Sequence, residues 1–175
     1  MSGVALESLA EDLLAEFERD ARGRGAAKRL SDYAAAHSDW QTRARFDPAV
    51  YTRNLIRRNE QFELLVLCWS PGQVSPIHDH AGEHCWMAVL AGEIEEQHFH
   101  VECPGAALRA GRAKVFTAGQ VAYIEDEIAL HRVRPLGSAA VSLNLYARPI
   151  DVCSVFEEAT GAVLSKQLIY HSVGG

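Results

Sequence analysis

The stretch "HDHAGEHCW", residues 78–86, crowds three histidines and a cysteine into nine positions. In an extended chain, residues two apart point to the same face, so His78 and His80 present two imidazoles side by side while Asp79 looks away. That is the geometry of a pair of metal ligands. Gly72, Cys85 and Gly92 frame the pair in the order Gly72-x5-His78-x-His80-x4-Cys85-x6-Gly92. His84 is expected beside the same pocket, without an assigned role. A second His-x-His pair, His98 and His100 in "EEQHFHVEC", has no such glycine frame and is expected to be two exposed strand residues.

Positioning such a pair requires a scaffold, and the chain changes texture once. Leu6, Leu9, Leu13 and Phe17 fall on one helical stripe over residues 4–17. The "GRG" at 23–25 interrupts it, and "AAKRLSDYAAA" predicts a second helix. From Tyr51 onward the chain breaks into short runs rich in Val, Ile, Leu and Tyr. They are separated by the turn signals "SPG", "AGE", "CPG", "RAG", "AGQ" and "PLGS". The expected architecture is mainly β: one domain over residues 1–175, with an N-terminal helical segment (1–48) and a β-barrel (49–175). Within "VSLNLY", alternation puts Val141, Leu143 and Leu145 on one face and Ser142, Asn144 and Tyr146 on the other, the polar set aimed at the pocket. The charge runs "EEQ" and "EDE" read as solvated edges or loops.

Composition removes several function classes. With 17 Lys plus Arg against 23 Asp plus Glu, the chain of 175 residues carries a formal charge of −6, which repels nucleic acid and anionic lipid. Hydrophobic residues at 48% and charged residues at 23% are the proportions of an ordinary globular domain. The longest apolar run, "LLVLCW" at 64–69, is too short to span a bilayer. The acidic, amphipathic start lacks the features of a secretory signal, so a cytoplasmic protein with no membrane partner is expected. Cys68, Cys85, Cys103 and Cys153 are too irregularly spaced for a disulfide framework and are read as reduced thiols.

The glycine-framed histidine pair resembles the first metal motif of the cupins, which implies a jelly-roll β-barrel. Cys85 stands where most cupins carry a glutamate ligand, so the resemblance implies a site without a carboxylate. The third histidine is then His131, in "GQVAYIEDEIALHRVRP", where the second cupin motif places its own, counted from Gly119 with one residue extra. Glu125 and Glu127 replace the usual proline and glycine of that motif, and spacing alone also allows His131 to be an ordinary surface or core histidine. Imidazoles suit Zn, Cu, Fe and Ni alike. A need for several open positions on one side of the metal favours Fe(II).

A more specific resemblance covers the chain from about Tyr51 to the C-terminus. "YTRNLI" at 51–56, "CW" at 68–69, "HDHAGEHC" at 78–85, "LHRV" at 130–133, "SLNLY" at 142–146 and "YHS" at 170–172 together resemble the cysteine dioxygenases. This implies Fe(II) held by His78, His80 and His131, with L-cysteine and O2 converted to cysteine sulfinic acid by a monomeric enzyme. Arg53 is implied as the partner of the substrate carboxylate, supported by Tyr51. Its planar fork suits that task, although a solvated arginine beside Arg57 and Arg58 is the alternative. Tyr146 is implied to face the substrate sulfur and oxygen, joined to Cys85 by a thioether in many relatives; the alternative for Cys85 is a buried free thiol. Trp69 and Leu67 are expected to wall the pocket, and Ser142 and Asn144 to support Tyr146.

Two departures from the family stand out. Asn144 occupies the place of a histidine, and an amide cannot titrate near neutral pH. "ARP" replaces Ser-Pro-Pro after Tyr146, which is expected to put Arg148 near the site. The alternatives are a 3-mercaptopropionate dioxygenase, whose relatives carry glutamine at Arg53 and arginine at Cys153, and a zinc enzyme or non-catalytic binder on the same frame.

Overall fold

The computed structural model describes residues 4–173. Helix α1 (Val4–Arg19) and helix α2 (Ala26–Ala36) are followed by a short 3-10 turn, Asp39–Thr42, and by irregular chain through residue 51. The helical stretch expected over 1–48 therefore ends earlier, at Thr42. Gly23 makes the left-handed turn between the helices, with φ 59°, and a side chain there would strike the Phe17 ring.

Twelve strands follow among the described residues. They are β1 (Thr52–Arg58), β2 (Glu63–Trp69), β3 (Ile77–His78), β4 (His84–Ala91), β5 (Glu93–His100) and β6 (Arg109–Thr117). Then come β7 (Val121–Ile124), β8 (Leu130–Pro135), β9 (Ala140–Ala147), β10 (Val152–Phe156), β11 (Val163–Gln167) and β12 (Ser172–Val173). They form two six-stranded sheets, in the orders β12-β1-β2-β9-β4-β7 and β11-β10-β3-β8-β5-β6.

The continuous apolar run in β2 has a simple cause: the strand is covered on both faces. Leu64, Val66 and Cys68 join Trp86 and Ala88 of β4 and Leu143 and Leu145 of β9 against Leu6, Leu13, Phe17 and Leu30 of the helices. Leu65, Leu67 and Trp69 point the other way, into the space between the sheets, with Cys85, Met87, Val89 and Tyr146. A fully covered strand loses the alternation of a half-exposed one. The stripe on α1 predicted from sequence is the face that closes the first sheet. Among the described residues no helix is long and apolar enough to cross a membrane.

Gly92 closes the β4–β5 turn with φ 73°, and a Cβ there would lie 2.6 Å from the Ala139 carbonyl oxygen. The framing glycine is thus required both for its backbone conformation and for the close approach of the β8–β9 connection.

Candidate active site

Register brings the histidines together. His78 on β3 pairs directly with His131 on β8, and His131 in turn pairs with His98 on β5. His80 lies just beyond the end of β3, in a loop held by Asp126, whose carboxylate accepts the His80 backbone N–H at 2.7 Å and that of Gly82 at 2.6 Å. His78 and His80 therefore converge through this loop rather than as neighbours on one strand face. Burial works to raise the Asp126 pKa, but the bonds from His80 and Gly82 outweigh it and hold the carboxyl below its usual value.

One nitrogen from each of His78, His80 and His131 lies within 4.8 Å of the others. The hydrogen bonds fix which nitrogens are free. His78 Nδ1–H donates to the Pro76 carbonyl at 2.9 Å, and His131 Nδ1–H donates to the Glu96 carboxylate at 2.8 Å. Both Nε2 atoms are then bare lone pairs, and they face each other across 3.1 Å. Two lone pairs at that distance repel unless a cation lies between them. A separation of about 3 Å is what two nitrogens each about 2.1 Å from one metal would show. Both ring nitrogens of His80 are buried without a hydrogen-bond partner. The residues fit a metal ion. Burial, with His80 adding to it, depresses the His78 pKa to about 3, and burial with His78 pushes His131 well down, so both are in the neutral, ligating form.

The cavity in front of the three imidazoles is lined by Tyr51, Arg53, Leu67, Trp69, Asn144, Tyr146, Ile150, Cys153, Lys166 and Leu168 among others. Arg53 is 6% exposed, which removes the solvated reading. Its Nη2 donates to Glu63 at 3.3 Å, its guanidinium lies 5.5 Å from the centre of the Tyr146 ring, and its Nε is buried with no partner. His171, just before strand β12, holds the Arg53 backbone: the Arg53 N–H donates to His171 Nδ1, and the His171 N–H to the Arg53 carbonyl. Tyr51 stacks on Trp69 with ring centres 4.4 Å apart.

A chain of hydrogen bonds runs along one face of β9 toward the cavity. Trp69 Nε1–H donates to Ser142 Oγ at 3.2 Å, Ser142 O–H to Asn144 Oδ1 at 2.7 Å, and Asn144 Nδ2–H to the Tyr146 hydroxyl oxygen at 3.3 Å. Each group donates to the next, so the Tyr146 proton is left for whatever enters the cavity. Burial, with Cys85 adding to it, raises the Tyr146 pKa well above its usual value and keeps the phenol protonated. Cys85 sits directly across the β4–β9 ladder from Tyr146, buried and outside any disulfide; burial followed by Glu96 pushes its thiol up, opposed by Arg53, Tyr146 and Asn144.

Four expectations are corrected. Alternation along β4 turns His84 out of the barrel, where its Nδ1 meets the Tyr123 hydroxyl at 2.7 Å and Glu125 at 3.0 Å, away from the cavity. Arg148 is exposed and pairs with Glu83, while the Ala147–Arg148 peptide is cis. His98 and His100 are half-buried, because β6 covers them. The "EEQ" run is not wholly solvated: Glu96 is 4% exposed and bonded to His131. Sequence reading missed Glu96, Asp126, Glu63 and Lys166. Strand parity was an available signal for Glu96, which shares a face of β5 with Ile94, and for Glu63, which shares a face of β2 with Leu65 and Leu67, whereas Asp126 lies in a loop.

Two sheets enclosing an inward-facing cluster of three histidines define a cupin, a double-stranded β-helix with a metal-binding interior. The fold is similar to that of a Thermus thermophilus protein (TM-score 0.52, 22% identity, 65% of this chain and 98% of that one). It is also similar to a Klebsiella pneumoniae protein with a double-stranded β-helix domain (TM-score 0.53, 14% identity, 76% and 98%). The sequence narrows the class: residues 3–159 match the family model "Cysteine dioxygenase type I", and the chain belongs to that family. It is 36% identical over 169 residues to cysteine dioxygenase type 1 of Danio rerio, spanning 92% of this chain and 83% of the relative. With the Homo sapiens protein of the same name it shares 37% identity over 150 residues, 83% of this chain and 75% of the relative.

Proposed function

We propose that this protein is an Fe(II)-dependent thiol dioxygenase that adds both atoms of O2 to the sulfur of L-cysteine, giving cysteine sulfinic acid. The observation that carries the reading is the arrangement of groups around one cavity: three imidazoles with no carboxylate in their cluster among the described residues, a buried arginine with an unused donor, and a protonated phenol. Bound Fe(II), held by His78, His80 and His131, would supply the acidity that ionises a thiol and the redox chemistry that activates O2.

The protein's own groups do the rest. Arg53 Nε–H, anchored by Glu63 through the other end of the guanidinium, receives the substrate carboxylate. Leu67, Trp69 and Ile150 keep water from the sulfur. Tyr146 donates its hydroxyl proton toward the reacting atoms, oriented by Asn144. Because Asn144 has no titrating group, this relay orients the phenol without draining its proton away. The position of Cys85 across the β4–β9 ladder from Tyr146 supports a thioether between them, in which the S–H and a ring C–H are lost, a C–S bond forms, and O2 takes up two protons and two electrons.

The complete set of groups lies on one chain, which suits a monomer, and four unpaired thiols suit a reducing cytoplasm. The 3-mercaptopropionate alternative is not favoured, given Arg53 and Cys153 in the cavity. Metal analysis of the purified protein, with mass spectrometry of the product formed from L-cysteine under O2, tests the proposal. Stoichiometric zinc with no O2 uptake in the presence of any thiol would overturn it.

A further inference from the structure

The cavity opens into a second, wider groove, and the two share Tyr51, Arg53, Pro76, Lys166 and Leu168. Among the described residues no Asp or Glu lines this groove, and those carrying charge are Arg53 and Lys166, in a chain whose net charge is −6. The two cations differ in kind. Arg53 is buried and balanced by Glu63, which is itself fully buried and bonded to the Tyr170 hydroxyl. Lys166 is half-buried on β11, directly across from Cys153 of β10, and makes no ion pair among the described residues. Asp79, the carboxylate that lines the cavity beyond, accepts the Ser154 and Ala81 N–H groups instead of pairing with Lys166. An ammonium without an ion pair at the junction between groove and cavity, walled by apolar Val50, Val74 and Ile169, draws anions inward.

Resting on the reading of this cavity as a thiol dioxygenase site, we propose that Lys166 is a specificity-determining residue. It meets the carboxylate of an incoming thiol where the groove narrows and passes it to Arg53, so that the site admits carboxylate-bearing thiols and disfavours cationic ones. A flexible four-carbon stem suits a group that must hold an anion in transit, whereas the rigid, anchored Arg53 fork suits its final position.

The test compares L-cysteine with cysteamine, which has the same thiol and amine and lacks the carboxylate. Binding of each to the iron-loaded wild type and to Lys166→Met and Lys166→Arg is measured by anaerobic calorimetry, and kcat/KM in air at low and high salt. Lys166→Met is expected to weaken L-cysteine about fivefold, the upper range for a partly exposed charge pair. It should leave cysteamine unchanged or tighter, keep kcat, and flatten the salt dependence of kcat/KM for L-cysteine; Lys166→Arg should restore all three. An equal loss for both thiols, or L-cysteine binding that does not respond to Lys166→Met, overturns the inference. Because binding is read without O2, Lys166-dependent binding of a thiol that is never oxidised would sink the functional reading alone.

Discussion

Glu96 offers the sharpest test of how the metal centre is built. Its carboxylate accepts the His131 Nδ1–H at 2.8 Å, and both side chains are about 5% exposed or less, so no water replaces the bond if it is lost. An imidazole whose far nitrogen donates to a carboxylate is fixed in tautomer and orientation and becomes a stronger ligand. Losing such a partner costs about 10- to 100-fold in metal affinity, or about 1.4–2.8 kcal/mol. Glu96→Gln keeps the shape and an acceptor but removes the charge, so a fall toward the tenfold end is expected. Glu96→Ala strands the Nδ1–H and should approach the hundredfold end. Fe(II) affinity is measured anaerobically by competition with a chelator, with thermal melting of the metal-free proteins in parallel. Burial raises the Glu96 pKa, opposed chiefly by His98, so the carboxylate is a cost to the metal-free fold. Glu96→Gln should therefore leave metal-free stability unchanged or higher. If its metal affinity stays within about twofold of the wild type, or falls only in step with stability, the carboxylate does not tune His131 and the argument fails.

Other substitutions separate the roles of the cavity walls. Arg53→Ala should raise KM for L-cysteine by about tenfold or more while kcat changes little, as for a lost charged hydrogen bond; a fall in kcat alone would contradict its assignment as the carboxylate anchor. Tyr146→Phe removes the donor at the end of the Trp69–Ser142–Asn144 chain and should lower kcat by about 100-fold with KM nearly unchanged. Intact-mass measurement after turnover should find a wild-type population lighter by two hydrogens, absent from Cys85→Ser, if the thioether forms.

Local patterning makes much of this protein legible in its sequence. The stripe of Leu6, Leu9, Leu13 and Phe17 defines α1, and alternation in "VSLNLY" puts Ser142, Asn144 and Tyr146 on one face; Asn144 and Tyr146 line the cavity and Ser142 bonds to Asn144. The spacing of His78 and His80 points to two ligands, although β3 ends at His78 and the loop held by Asp126, not strand parity, brings in the second imidazole. Which charges become buried is a different matter, because it depends on strand pairing between residues far apart in the chain. Glu96 belongs to a charged run that looks solvated; only the β5–β8 ladder brings it to His131, 35 residues away. His84 lies one residue from Cys85, yet the parity of β4 sends it out of the barrel. Lys166 follows the last turn before the C-terminal strands with no motif around it, and only the β10–β11 pairing sets it across from Cys153 at the mouth. Periodicity is written into neighbouring residues, whereas register is decided by the best burial of all strands at once.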